Sequence, residues 1–129
     1  MMIRPARVDD LPAIHDLLVT NNLLVDGVDY SDFSPPVLVA VRGQQTIGMV
    51  HALIGKPYAI ISELAILPEH QNKGYAIKLL RAMELLLRSM GITALAAFVG
   101  GHRVRVISQL GRDGWSETGT GVMFVRSLT

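Results

Sequence analysis

The stretch Glu63-Leu64-Ala65-Ile66-Leu67-Pro68-Glu69-His70-Gln71-Asn72-Lys73-Gly74-Tyr75-Ala76-Ile77 decides the fold. It reads as an apolar run, then a proline-led turn, then the opening of a helical pattern. That order aims unpaired backbone N–H groups of a helix N-terminus out of a strand end. Such a place favours phosphate, because the first helical amides lack internal partners and the helix dipole attracts an anion there. Gly74 lets the backbone come close to a ligand, and small Ala76 keeps the next position open. Ile77, Leu79, Leu80, Met83, Leu86 and Leu87 follow at helical spacing and make one apolar face.

Working outward, residues 37–41 and 46–54 read as two strands joined at Arg42-Gly43-Gln44-Gln45, a hairpin. Gly55-Lys56-Pro57 turns the chain into a third β-rich run at 58–67. The three make an antiparallel meander that feeds the 71–76 turn. After it, a helix over about 73–90 ends at Gly91 as C-cap. Residues 92–99 read as a buried strand, apolar except at Thr93. Strand, helix and strand imply a parallel right-handed crossover beside 58–67. At the N-terminus, residues 2–6 suit an edge strand, which tolerates Pro5. Asp9 or Asp10 is placed to cap the next helix, over about 10–22, with Pro12 in its first turn and Ile14, Leu17, Leu18 and Asn21 on one side.

Residues 23–36 are rich in turn formers and carry Asp26, Asp29 and Asp32. These carboxylates are either a solvated loop or an attraction for a cationic ligand. Beyond Gly100-Gly101, residues 102–110 suit a helix with Val104, Ile107 and Leu110 on one face. Gly111-Arg112-Asp113-Gly114-Trp115 turns out of it, and 115–118 with 122–127 form a closing hairpin. Its apolar Val122, Phe124 and Val125 are a candidate surface for joining two subunits as a homodimer.

At 129 residues the chain suits one domain spanning 1–129, with a sizeable core. Half of it is hydrophobic and 18% is charged, which argues against disorder. A net charge of +1 makes no electrostatic case for nucleic acid or an anionic membrane. There is no cysteine, so disulfides, thiolate metal sites and a cysteine nucleophile are excluded. The N-terminus lacks the apolar core of a signal peptide, and no apolar run reaches the roughly 20 residues of a membrane span. The expected compartment is the cytoplasm. The four histidines are too scattered for a metal site, so no metal is expected.

Ile66-Leu67-Pro68-Glu69-His70-Gln71-Asn72-Lys73-Gly74-Tyr75-Ala76 resembles motif A of the GNAT superfamily of N-acetyltransferases: apolar-x-Pro, a few residues, then Gln/Arg-x-x-Gly-x-Gly/Ala. The order of elements agrees over nearly the whole chain. The resemblance implies an α/β (α+β) fold with a mixed, mostly antiparallel sheet flanked by helices and a parallel, splayed strand pair at its centre. It implies acetyl-coenzyme A as co-substrate. Main-chain groups of Ala65, Ile66 and Leu67 would meet the pantetheine arm, and a backbone amide near Ile66 would stabilise the oxyanion. Gln71, Asn72, Lys73, Gly74, Tyr75 and Ala76 would surround the pyrophosphate, with Lys73 adding a point charge. The acceptor would be a small amine, an amino acid or a peptide amine. An unrelated nucleotide-binding domain is disfavoured by the meander before the turn and by the lack of Gly-x-x-x-x-Gly-Lys.

Acetyl transfer also needs a base, and Glu63, three residues before Ile66, stands where many members carry an acidic residue. Near an apolar cleft its pKa is expected to be raised. The other reading of Glu63 is a pair with an arginine across the sheet. His51 and His102 are lesser candidates for the site, and His70 is expected to be solvated. With no cysteine for an acyl-enzyme, direct attack is expected. One departure stands out. Where the family often carries Asn, Ala and Tyr before Gly-Phe, this chain has Arg103, Val106 and Leu110 before Gly114-Trp115. The usual tyrosine acid is therefore missing, leaving Ser108, Tyr75 or water as proton donors. That departure sets a second reading beside the first: a GNAT-like domain that binds acetyl-CoA or CoA as a sensor or interaction protein.

Overall fold

The computed structural model describes residues 1–21, 23, 34–97 and 104–116. The chain divides into two compact units, Met1–Phe98 and Val99–Thr129. The first holds β1 (Met2–Pro5), α1 (Leu11–Thr20), β2 (Val37–Arg42), β3 (Gln45–Gly55), β4 (Tyr58–Ile66), α2 (Tyr75–Ser89) and β5 (Ala94–Ala97). Its sheet runs β1-β2-β3-β4-β5; the first three pairings are antiparallel and β4 with β5 is parallel. The mixed sheet expected from the sequence is therefore present. β1 lies at one edge, where Pro5 costs no ladder bond on the open side.

Strand alternation divides the core between the two faces of the sheet. Val39, Met49 and Ala65 lie side by side across three strands and meet Ile14, Leu17 and Leu18 of α1. The neighbouring row, Ala40, Gly48 and Ile66, faces the other way, onto α2. The α2 stripe read from the sequence is the buried one: Leu79, Leu80, Met83 and Leu87 have almost no exposed surface. α2 closes in a Schellman arrangement, with Ile92 N–H on the Leu87 carbonyl and Gly91 N–H on that of Arg88, as the Gly91 C-cap predicts.

Three expectations need correction. Asp10 does not cap α1. Its backbone is already in the right-handed helical region, which turns the carboxylate away from the α1 amides. The carboxylate instead takes the Arg4 guanidinium at 2.7 and 2.9 Å and the Arg7 amide at 2.6 Å. Second, the strand read over 92–99 is described as Ala94–Ala97 and is not fully buried; Ala94 and Ala96 are exposed. It is the last strand in the described sheet order, so β4 flanks it on one side only. Third, in the second unit, α3 (Val104–Arg112) runs through Gly111 and ends two residues later than the expected Leu110. The closing hairpin beyond Ser116 lies outside the described residues, as do most of the acidic loop and His102. Among the described residues, no helix is long and apolar enough to cross a membrane.

Gly48 sets how closely α2 sits on the sheet. A Cβ there would stand 2.6 Å from Ile66 Cδ1, 3.1 Å from Leu79 Cδ1 and 3.2 Å from the Ala65 carbonyl. Gly48→Ala should destabilise the protein by about 1 kcal/mol and Gly48→Val by about 3 kcal/mol, because overpacking forces neighbours off their rotamers. Denaturant unfolding measures this; a Gly48→Val protein as stable as the parent contradicts the close seat.

The Arg4 hydrogen bonds hold the Asp10 carboxyl below its ordinary value, against the upward push of burial. A carboxyl depressed in the folded state binds fewer protons there than in the unfolded chain, so its stabilisation is present above the unfolded carboxylate range. That stabilisation is lost as pH falls through the folded value. Melting midpoints followed from pH 7 down to pH 3 should therefore drop less steeply in Asp10→Asn than in the parent, from a start several degrees lower. Parallel curves would contradict this role.

Candidate active site

The turn after β4 is built from a single 3-10 turn at Pro68–His70, then Gln71 and Asn72, then α2. Asn72 takes a left-handed φ of 63°, a conformation asparagine tolerates better than most residues. Gly74 caps α2 at φ 86° with nothing within 4 Å of where a Cβ would be. The first intrahelical bond runs from Lys78 N–H to the Gly74 carbonyl at 3.2 Å. The amides of Tyr75, Ala76 and Ile77 thus precede the helical ladder, and no side chain caps them. This is the bare helix N-terminus read from the sequence.

β4 leads directly into this turn. Its described pairing with β5 ends at Ile61 opposite Ala97, while its pairing with β3 continues to Ile66. Leu67 N–H bonds the Ile47 carbonyl at 2.8 Å. Antiparallel alternation therefore turns the N–H and C=O of Ile66 away from β3. The Ile66 carbonyl is occupied: Asn21 Nδ2 reaches it at 3.1 Å and Gln71 Nε2 at 3.0 Å, with Gln71 also donating to Asn21 Oδ1 at 3.1 Å. The Gln71 side chain is thus folded back onto β4, leaving its main chain and its neighbours to face the turn. Asn21, read from the sequence as part of an apolar side, joins the end of α1 to the end of β4.

Glu63 and His51 come together on the face that α1 covers, one row beyond Val39. Opposite His51 the ladder slips, so that Ser62 and Glu63 both oppose one residue of β3. Neighbouring strand residues normally point to opposite faces, but this bulge brings both to the same nitrogen. His51 Nδ1 lies 2.9 Å from Glu63 Oε2 and 2.8 Å from Ser62 Oγ. Ser62 Oγ also donates to Glu63 Oε2. His51 Nε2 lies 2.8 Å from the Ser34 carbonyl, and the residue is 6% exposed. The expected Glu–Arg pair is therefore a Glu–His pair.

Burial pushes the Glu63 carboxyl up, but the hydrogen bonds of His51 and Ser62, with the attraction of His51, outweigh it. The carboxyl ends below its ordinary value, which corrects the expected rise. Two polar neighbours decide the balance. Glu63 is consequently ionised at neutral pH and able to accept a proton.

His70 is not solvated as expected. It is half-buried, edge-on to Tyr75 at 6.1 Å, and its buried Nδ1 has no hydrogen-bond partner among the described residues. The Lys78 ammonium stands 5.6 Å from the Tyr75 ring centre. Lys73 is exposed. In the second unit, Ser108 is exposed and Leu110 is 9% exposed. Among the described residues, no three His, Cys, Asp or Glu are arranged to hold a metal. Sequence reading missed Ser62, Ser34 and the capping role of Asn21. A count across the Gly55–Tyr58 turn puts Ser62 opposite His51, a signal that was available.

Residues 9–108 match the model of the acetyltransferase (GNAT) family. No curated protein matches the chain in sequence. Among solved structures, an aminoglycoside antibiotic 6'-N-acetyltransferase from Acinetobacter haemolyticus is 22% identical, with TM-score 0.70 and 100% of both chains covered. A putative acetyltransferase from Agrobacterium tumefaciens superposes with TM-score 0.80 at 17% identity, covering 98% of this chain and 100% of that one. A ribosomal-protein-alanine N-acetyltransferase from Brucella melitensis gives 0.76 at 18% identity, covering 92% and 86%. With its family model spanning most of the chain and its mixed sheet shared with these folds, the chain belongs to the GNAT family of acetyltransferases.

Proposed function

We propose that the chain is an acetyl-CoA-dependent N-acetyltransferase that delivers the acetyl group to a primary amine by direct attack. The observation that carries this reading is the uncapped N-terminus of α2 just beyond the end of β4, where the Ile66 amide turns away from β3. A pyrophosphate fits such a turn: the amides of Tyr75, Ala76 and Ile77 are available, and Gly74 offers bare backbone with open space around it. Gln71 and Asn72 shape the turn through their backbone, and Lys73 adds a positive charge at its mouth.

Acetyl-CoA supplies the acyl group as a thioester. The chain's own part is positioning, polarisation and proton transfer. Of the Ala65–Leu67 main chain, the Ile66 amide is the group that turns away from β3 toward the pantetheine arm. The outward amide near Ile66 polarises the thioester carbonyl and stabilises its developing negative charge. Glu63, ionised by its His51 and Ser62 contacts, takes a proton from the incoming ammonium directly or through one water, and the freed amine attacks. With Leu110 in place of a tyrosine, the leaving thiolate takes its proton from Tyr75 or water.

An amine acceptor is in keeping with the relatives, whose names give an aminoglycoside and a ribosomal protein's alanine. A small amine, an amino acid or a peptide amine suits this chain. The cysteine-free composition suits a cytoplasmic enzyme. A second reading, a domain that binds the coenzyme without turning it over, is favoured by Leu110 in place of tyrosine and by the short run of residues 23–36. Turnover separates the two. Release of free CoA thiol from acetyl-CoA should be seen with at least one member of a panel of polyamines, aminoglycosides, amino acids and peptides. Glu63→Gln should then lower kcat by about a hundredfold with the CoA dissociation constant unchanged within twofold. Equal kcat in the variant would remove Glu63 as the base. No thiol release with any amine, in a protein that binds CoA, would favour the second reading.

A further inference from the structure

The hydrogen bonds around His51 leave little freedom in where its protons sit. The Ser34 carbonyl can only accept, so His51 Nε2 carries a hydrogen and donates it. The Ser62 hydroxyl gives its proton to Glu63 Oε2. His51 Nδ1 makes a second contact with the same Oε2, at 2.9 Å. Oε2 is thus committed twice, to His51 and to Ser62.

Resting on the reading of Glu63 as base, we propose that His51, with Ser62, is a positioning residue that clamps Glu63 through Oε2 and leaves Oε1 as the atom that accepts the amine proton. In that step the N–H bond of the ammonium breaks and an O–H bond forms at Oε1. The nitrogen keeps the electron pair it then uses in attack. The proton later leaves Oε1 to solvent, and His51 exchanges none.

The same geometry sets Ser62 apart from a hydrolase nucleophile. A histidine that activates serine uses one ring nitrogen for the hydroxyl and the other for its acid partner. Here both partners crowd onto Nδ1 while Nε2 is engaged by Ser34. His51 therefore cannot carry a proton from Ser62 to a leaving group. The bulge serves to bring two side chains onto one carboxylate oxygen's side of the ring.

Three variants test the clamp with the full chain. His51→Leu should lower kcat by about ten- to hundredfold, with KM for acetyl-CoA within about twofold, because a misaimed base slows the chemical step and leaves coenzyme binding alone. His51→Asn, which keeps an N–H near the Nδ1 position, should recover most of that loss. Ser62→Ala should give a smaller fall and keeps the test open if His51→Leu does not fold. A readout in the protein without coenzyme is the Glu63 side-chain carboxyl carbon, followed by NMR against pH. Its midpoint should rise by about one pH unit in His51→Leu, since a favourable partner of the charged form is lost. Folded His51→Leu with parental kcat and an unmoved Glu63 midpoint would overturn the clamp. So would Ser62→Ala with parental kcat and an unmoved midpoint, should His51→Leu not fold. Parental kcat in Glu63→Gln would instead overturn the base on which the clamp rests, so the two failures are told apart.

Discussion

β4 pairs with β5 over Tyr58–Ile61 and with β3 on to Ile66, past the bulge at Ser62. The end of that strand is the constraint on which the site depends. The Ile66 carbonyl turns away from β3 and is held by the Asn21 and Gln71 amides. Those bonds fix the peptide that leads out of the strand, so the turn to α2 starts from a held position. The close seat of α2 at Gly48 fixes the other end. The bare N-terminus of α2 is thus aimed by packing on one side and by hydrogen bonds on the other.

The second device is the bulge at Ser62. A regular ladder would give His51 one neighbour on β4. The slipped ladder gives it two, and both are polar. A carboxylate in an apolar cleft is ordinarily pushed toward its neutral form. Glu63 goes the other way because a hydroxyl and an imidazole share its one oxygen. The consequence is a carboxylate that stays charged at neutral pH and keeps a defined direction.

Much of this was legible in the residues. The period-two runs and the turn residues at 42–45 and 55–57 locate the meander. The 3.6-residue stripe from Leu79 to Leu87 locates the face of α2, and Gly91 its end. Motif A carries the family through residue types that a phosphate turn requires. The details that hid were those set by competition between partners. Asp9-Asp10 before Leu11-Pro12 spells a helix cap, but Arg4 offers Asp10 a two-pronged bond that a single amide cannot match. A bulge leaves no mark on hydrophobic alternation, so the meeting of Ser62, Glu63 and His51 was visible only as a near miss in register. The sign of the Glu63 shift then followed from neighbours that the sequence did not place.

The most direct test of the central claim, that the turn from Gln71 to Ala76 holds the pyrophosphate of coenzyme A, is the melting midpoint with CoA, with acetyl-CoA and with pantetheine. A ligand that binds only the folded chain stabilises it by about 2.7 kcal/mol at a hundredfold excess over its dissociation constant, several degrees for a protein of this size. CoA and acetyl-CoA should both give that rise. Pantetheine, which lacks the pyrophosphate, should give far less, and Ala76→Glu should abolish the rise while melting near the parent. No shift at millimolar CoA, or the same shift in Ala76→Glu, would contradict the account.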